Sequence, residues 1–204
     1  MSINKIPSDK WIVIVSNPRS GTHALKYYLR DKLKIDSIGE PLHPDNIEKF
    51  KKEQLNGDKK VCVVMVNQLR DPHNLELFDE LKSKAYTVKL IRNDFDVISS
   101  TVISLCDDIW LEKNTKSYDF YVNKITKKFF KFTYNRFKRD QNILRTFNTD
   151  TTLYYDDIQH ILNPSNDKLK RNLVDPRIYE MLKEFYYAAR AEELQAVKYD
   201  LACS

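Results

Sequence analysis

Glycine is scarce, with three in 204 residues, and the glycine-rich phosphate loop of nucleotide kinases cannot be written onto the chain. Aligning Gly21 with the second glycine of that motif puts Ser16 at the first and Thr22 where its lysine is required. Cysteine is equally sparse. Cys62, Cys106 and Cys203 are odd in number, far apart and without histidine at metal-ligand spacing, which indicates neither a disulfide framework nor a zinc site and points to a reducing compartment. No stretch approaches the roughly 18 apolar residues of a membrane helix, and the opening MSINKIPSDK has no apolar leader core. The expected location is therefore the cytoplasm. Neither an internal repeat nor an interdomain linker interrupts the chain, so a single domain over residues 1–204 is expected.

What is present suits a folded domain with a sizeable core: 42% hydrophobic and 12% aromatic residues. The net charge of +5 fits an anionic ligand, and fits a lysine-rich solubilising surface equally well. The most informative stretch is WIVIVSNPRSGTHALKYYLRDKL, residues 11–33. Trp11 to Val15 form a short β-branched and aromatic run, which predicts a buried strand. Ser16 to Gly21 break the pattern, and Leu25, Tyr28, Leu29 and Leu33 then recur at helical spacing. Strand, tight loop and helix in this order aim the first helical N–H groups and the positive end of the helix dipole into the loop, where an anion is favoured. Gly21 permits close backbone approach, Thr22 adds a hydroxyl, and Arg19 a permanent forked cation. Residues 16–22 are a candidate phosphate or sulfate cradle.

Further along, Ile35 to Ile38 read as a short strand, Gly39-Glu40-Pro41 as a turn, Asp45 to Leu55 as a helix, Asn56-Gly57-Asp58 as a turn and Val61 to Val66 as a second buried strand. Asp71-Pro72 opens a loop before a short amphipathic helix carrying Leu75, Phe78 and Leu81. Tyr86 to Ile91 is extended, Arg92 to Asp94 turns, and a helix follows with Ser100 eight residues beyond Arg92. Residues 117–147 form one long helical pattern with Tyr118, Tyr121, Val122, Ile125, Phe129 and Phe132 as its apolar stripe. Seven basic residues between 124 and 139 crowd it, as cover for an acidic ligand or as a solvated face. No nucleic-acid motif accompanies them. Thr151 to Tyr155 is β-prone, Asn163 to Asn172 is a polar loop, and Pro176 starts a final helix with Tyr179, Leu182, Phe185, Tyr186 and Ala189 on one face. Strands alternating with helices predict an α/β sandwich, a three-layer fold around a mainly parallel sheet with ligand loops at the strands' carboxyl ends.

Two motifs in the same order, Pro18-Arg19-Ser20-Gly21-Thr22 and Arg92-Asn93-x-x-Asp96-x-x-x-Ser100, resemble the nucleotide-binding segments of sulfotransferases that use 3′-phosphoadenosine 5′-phosphosulfate (PAPS). The closing FYYAARAEELQAVKYD is similar to the terminal helix of compact bacterial- or viral-type members. The resemblance implies a P-loop-NTPase-like sulfotransferase fold. It also implies transfer of a sulfuryl group from PAPS to a hydroxyl or amine, with no metal required. By the same resemblance Arg19, Ser20, Gly21 and Thr22 hold the 5′-phosphosulfate, Arg92 and Ser100 the 3′-phosphate, and Tyr155, in TLYYDDI, lies near the adenine. His23 departs from the family, which often has a second threonine there, and three roles stay open for it: donating to the phosphosulfate, substituting for the missing strand-end group, or packing.

Glu40 resembles the glutamate that some branches place beside the transferred group. It is the candidate base, with His23 and His43 as alternatives, while a solvated turn carboxylate reads the same in sequence. The family's strand-end lysine and histidine are missing, since Val66 and Gln68 stand in that neighbourhood, as is an Arg-Lys-Gly segment near the 3′-phosphate. Gln68 or Arg70 are further candidates for contacting the sulfuryl oxygens. Two other readings stay open: a non-catalytic nucleotide- or polyanion-binding protein on the same fold, and a P-loop nucleotide kinase. The acceptor and the oligomeric state are not legible.

Overall fold

The computed structural model describes residues 3–53, 58–106, 117–162 and 174–203. The expected turn at Asn56 and Gly57, the end of the helix expected to reach Leu55, and the polar loop 163–172 lie outside them. The described strands are β1 (Trp11–Ser16), β2 (Asp36–Ser37), β3 (Lys60–Met65), β4 (Ala85–Ile91) and β5 (Thr151–Tyr154). They form one sheet in the order β2-β3-β1-β4-β5, every neighbouring pair parallel. Trp11 to Ser16 are buried throughout, as a central strand covered on both faces must be.

Contacts cluster into two compact units, one of residues 1–93 and 140–164, the other of residues 94–139 and 165–204. In the first unit the period of two in β1 divides the core. Ile12 and Ile14 face α1 (Thr22–Leu33) through Leu25 and Leu29, together with Val61, Val63, Val88 and Leu90. Trp11, Val13 and Val15 join Cys62, Val64, Phe50 of α2 (Pro44–Glu53), and Phe78 and Leu81 of α3 (Pro72–Lys84). This unit is therefore a three-layer α/β arrangement. Asp71 and Pro72 end up not in a loop but as the cap and first residue of α3, the Asp71 carboxylate accepting from the His73 amide. Leu75 is mostly on the surface of α3, and Leu77 takes its expected place in the core.

The second unit holds α4 (Asp94–Cys106), α5 (Tyr118–Lys124), most of α6 (Lys127–Thr146) and α8 (Pro176–Cys203); α7 (Tyr155–Ile158) belongs to the first. The single helix expected over 117–147 is broken at Ile125 and Thr126. Ile125 leaves helical geometry at φ −90°, ψ 90° and stays buried, and the Thr126 hydroxyl caps α6 by accepting from the Phe129 amide. That break shifts the phase of the apolar stripe. Phe130, Tyr134 and Phe137 pack inward, while Phe132, expected inside, is 65% exposed. Two of the basic residues, Lys131 and Lys138, pair with Glu192 and Glu193 of α8. The Pro176 helix follows expectation, with Ile178, Leu182 and Ala189 buried and Phe185 and Tyr186 packed beside them. Among the described residues no helix is long and apolar enough to cross a membrane.

Candidate functional site

The strand order fixes where a ligand site belongs. The chain leaves β1 for β2 on one side of the sheet and later returns to add β4 on the other, so the loops after β1 diverge at its carboxyl end. Crevices of this kind are where open parallel sheets bind ligands. The loop there is residues 17–21, and its backbone is specialised. Arg19 has φ 67° and Gly21 φ 86°, both left-handed. Gly21 is also the N-cap of α1, so no capping side chain covers the first-turn amides, and that turn contains no acidic residue. An anion seated in the loop would meet N–H groups and the dipole without a competing carboxylate. Ser20 and Thr22 are buried.

Gly21 is required for a second reason. A Cβ built on it would lie 2.2 Å from Cε2 and 2.5 Å from Cδ2 of Tyr155, far inside van der Waals contact. Tyr155 is buried at the start of α7, just past the end of β5. The Arg92 guanidinium lies 4.6 Å from the centroid of the same ring, and its Nη1 donates to the Arg19 carbonyl at 3.1 Å. Loop, ring and guanidinium form one stack in the first unit, bringing together Arg19, Gly21, Arg92 and Tyr155 from three sequence-distant motifs. Ser100 lies on α4 in the second unit, about two turns into the helix and half-buried.

Glu40 is positioned by β2. Ile38 donates to the Val61 carbonyl at 2.9 Å, and the Gly39 carbonyl accepts from Val63 at 3.4 Å, so the turn rides along the edge of β3. The Glu40 carbonyl then accepts from the His43 amide and the Asn46 side chain, both at 3.1 Å. Its carboxylate is a quarter exposed. Oε2 accepts from Gln68 Nε2 at 2.7 Å, and Oε1 lies 4.0 Å from His23 Nε2. Gln68 is itself fixed, its Oε1 accepting from the Met65 amide at 3.0 Å. His43 turns away to Asp45, with Nδ1 3.4 Å from that carboxylate. Of the three candidate bases, the fold thus joins Glu40 with His23. Arg70, the alternative to Gln68 for contacting a transferred group, donates from Nε to Asp140 at 2.9 Å.

Sequence reasoning missed the polar groups just past the apolar strands. Asn17 follows β1, is buried, and donates to Gln141 Oε1 at 2.6 Å. Asn67 follows β3. The side-chain oxygens of Asn17 and Asn67 are buried acceptors with no hydrogen-bond partner among the described residues; such atoms call for a donor from water or a ligand. The available signal was positional: amides placed within two residues of the carboxyl ends of adjacent apolar parallel strands. Cys62 is no nucleophile, because burial pushes its thiol up to about 12 despite the nearby Lys26 charge. Among the described residues no cluster of three or more His, Cys, Asp or Glu is placed to hold a metal ion.

No family model matches the chain, and no curated protein matches it. Solved structures resemble it at low identity. One is shikimate kinase from Bacteroides thetaiotaomicron, 13% identical over 85% of this chain and 98% of that one, with a TM-score of 0.48. Another is mouse sulfotransferase SULT7A1 complexed with PAP, 14% identical over 89% of this chain and 66% of that one, with a TM-score of 0.45. At that level neither likeness assigns an activity to the chain.

Proposed function

We propose that the chain is a sulfotransferase, moving a sulfuryl group from PAPS to a hydroxyl or amine. The observation that carries this reading is the Pro18-Arg19-Ser20-Gly21-Thr22 loop. It has an anion-ready helix terminus and an arginine, lacks the kinase lysine, and faces a carboxylate across the end of the sheet. Arg19 and the amides of the first turn of α1 would hold the 5′-phosphate and stabilise charge developing on it as the S–O bond breaks. Arg92 would meet the 3′-phosphate, and Tyr155 would brace both Arg92 and Gly21. Ser100 enters by its spacing from Arg92 alone. Glu40 would take the acceptor's proton. PAPS supplies the activated sulfuryl group; the side chains orient it and move the proton.

Calorimetric titration with 3′-phosphoadenosine 5′-phosphate (PAP), and with ATP without and with Mg²⁺, tests the nucleotide half. Selective binding of PAP is the expected result. Preference for Mg-ATP would favour a kinase, and binding of neither would overturn the assignment of the loop.

The Arg92 contacts sharpen a second expectation. Because this guanidinium also holds the Arg19 carbonyl, Arg92→Ala should weaken both PAP and the analogue lacking the 3′-phosphate. The loss should be larger for PAP, by a further 10–100-fold, about what one charge-assisted hydrogen bond contributes. Equal weakening of the two would remove Arg92 from the 3′-phosphate site and leave it as loop support.

A further inference from the structure

The two oxygens of Glu40 stand in different surroundings. Oε2 is held by Gln68 at 2.7 Å, and Gln68 is anchored to the backbone amide of Met65 at 3.0 Å. The carboxylate therefore cannot swing freely, and Oε1 is left toward His23 at 4.0 Å. The His23 side chain is 48% exposed, so the same ring that approaches Glu40 also reaches bulk water. Its ring is further bordered by Tyr27, with centroids 6.5 Å apart. His23 sits in the first turn of α1, where the helix dipole disfavours a lasting positive charge.

We propose that Gln68, Glu40 and His23 form a one-way proton exit for the transfer step, with Gln68 as a positioning residue. The inference rests on the sulfotransferase reading and extends it. In the step, a lone pair of the acceptor oxygen forms the new bond to sulfur. The bond from sulfur to the 5′-phosphate oxygen breaks, and its electron pair leaves with the bisphosphate. The acceptor's proton goes to Glu40 Oε1 and then to Nε2 of a neutral His23. The proton on Nδ1 departs to water, and exchange at the exposed ring restores the starting tautomer. Glu40 is thereby returned to its ionised form without opening the site. The 4.0 Å gap is within the looseness expected before a substrate tightens the site, or is spanned by one water.

The test uses labelled PAPS with water as the acceptor, following sulfate release, alongside calorimetry with PAP. His23→Ala is expected to reduce kcat by about 10–100-fold, in the lower range of proton-transfer contributions, with KM for PAPS unchanged. Added imidazole should restore turnover in a saturable way, which a merely structural role would not allow. Gln68→Leu should also lower kcat at unchanged KM, but without rescue by imidazole, since orientation is lost while the exit remains. A His23→Ala enzyme at full turnover, or one that is impaired and indifferent to imidazole, would overturn the relay alone. A raised KM for PAPS with intact kcat would overturn it too, making His23 a phosphosulfate contact. A wild-type protein that neither binds PAP nor releases sulfate would overturn the relay together with the function it extends.

Discussion

Replacing Glu40 by Gln should lower the rate of sulfuryl transfer by about 10²–10⁴-fold, the range contributed by a positioned general base, and leave PAP affinity unchanged. The substitution keeps shape and volume. The Gln68 side chain can still donate to the new amide oxygen, so the turn from Gly39 to His43 and its bonds to β3 should persist. What is removed is the ability to take a proton. Sulfate release from labelled PAPS, read beside calorimetry, separates the two effects. Wild-type turnover in Glu40→Gln would mean that the base lies elsewhere. Full PAP binding by a wild-type protein that never turns over would instead support the non-catalytic reading, for which the missing strand-end lysine and histidine are the argument.

Gly21→Ala should be the most damaging change in the loop. Two costs add. An alanine at φ 86° is held in the left-handed region, at about 1–2 kcal/mol, and its methyl overlaps a buried ring, at about 1–3 kcal/mol for an overpacked site. The ring cannot simply move aside, because its other neighbour is the Arg92 guanidinium, itself bonded to the loop. A loss of about 2–5 kcal/mol in denaturant titration is therefore expected, together with loss of PAP binding. Combining Gly21→Ala with Tyr155→Leu should recover part of the stability but little of the binding. The steric cost is then relieved while the backbone strain and the brace for Arg92 are not. An unchanged denaturation midpoint for Gly21→Ala would show that the loop relaxes freely.

The sheet was legible wherever apolar residues run together. Trp11 to Val15 and Val61 to Val66 each lie within one residue of an observed strand at either end, because a strand buried on both faces needs an unbroken apolar stretch; Tyr86 to Ile91 matches as closely with Thr87 and Lys89 inside it and partial exposure. The helix start at Pro176 was legible from its local chemistry, whereas Asp71 and Pro72, an equally local cap, were read as a loop. The break at Ile125 was not legible, since an isoleucine continues an apolar stripe whether it sits in the helix or turns out of it. Nearest-neighbour pattern cannot register that two-residue slip, and so it misplaced Phe132. In the site, Arg19, Glu40 and Arg92 were candidates through motif resemblance and His23 as a departure from it. Their meeting was not legible. His23 approaches Glu40 because a two-residue strand lies in register beside β3, and Gln68 reaches the carboxylate because a short 3₁₀ turn, Val66–Arg70, follows that strand. Register and strand order are properties of the assembled sheet, and no spacing in the chain encodes them.

The stack of Gly21, Tyr155 and Arg92 also bears on how the protein is made. Its first member lies near the start of the chain and its second follows the last strand to join the sheet, so the contact spans most of the sequence. Long-range contacts of this kind form late, after the loop-closure entropy has been overcome. During synthesis β1 and α1 emerge early, yet the loop between them acquires its buttress only after β5 has been translated and docked beside β4. On the proposed function, a nascent chain would thus carry the loop residues well before they have the anion-binding shape, and competence for the nucleotide would mark the closing of the sheet.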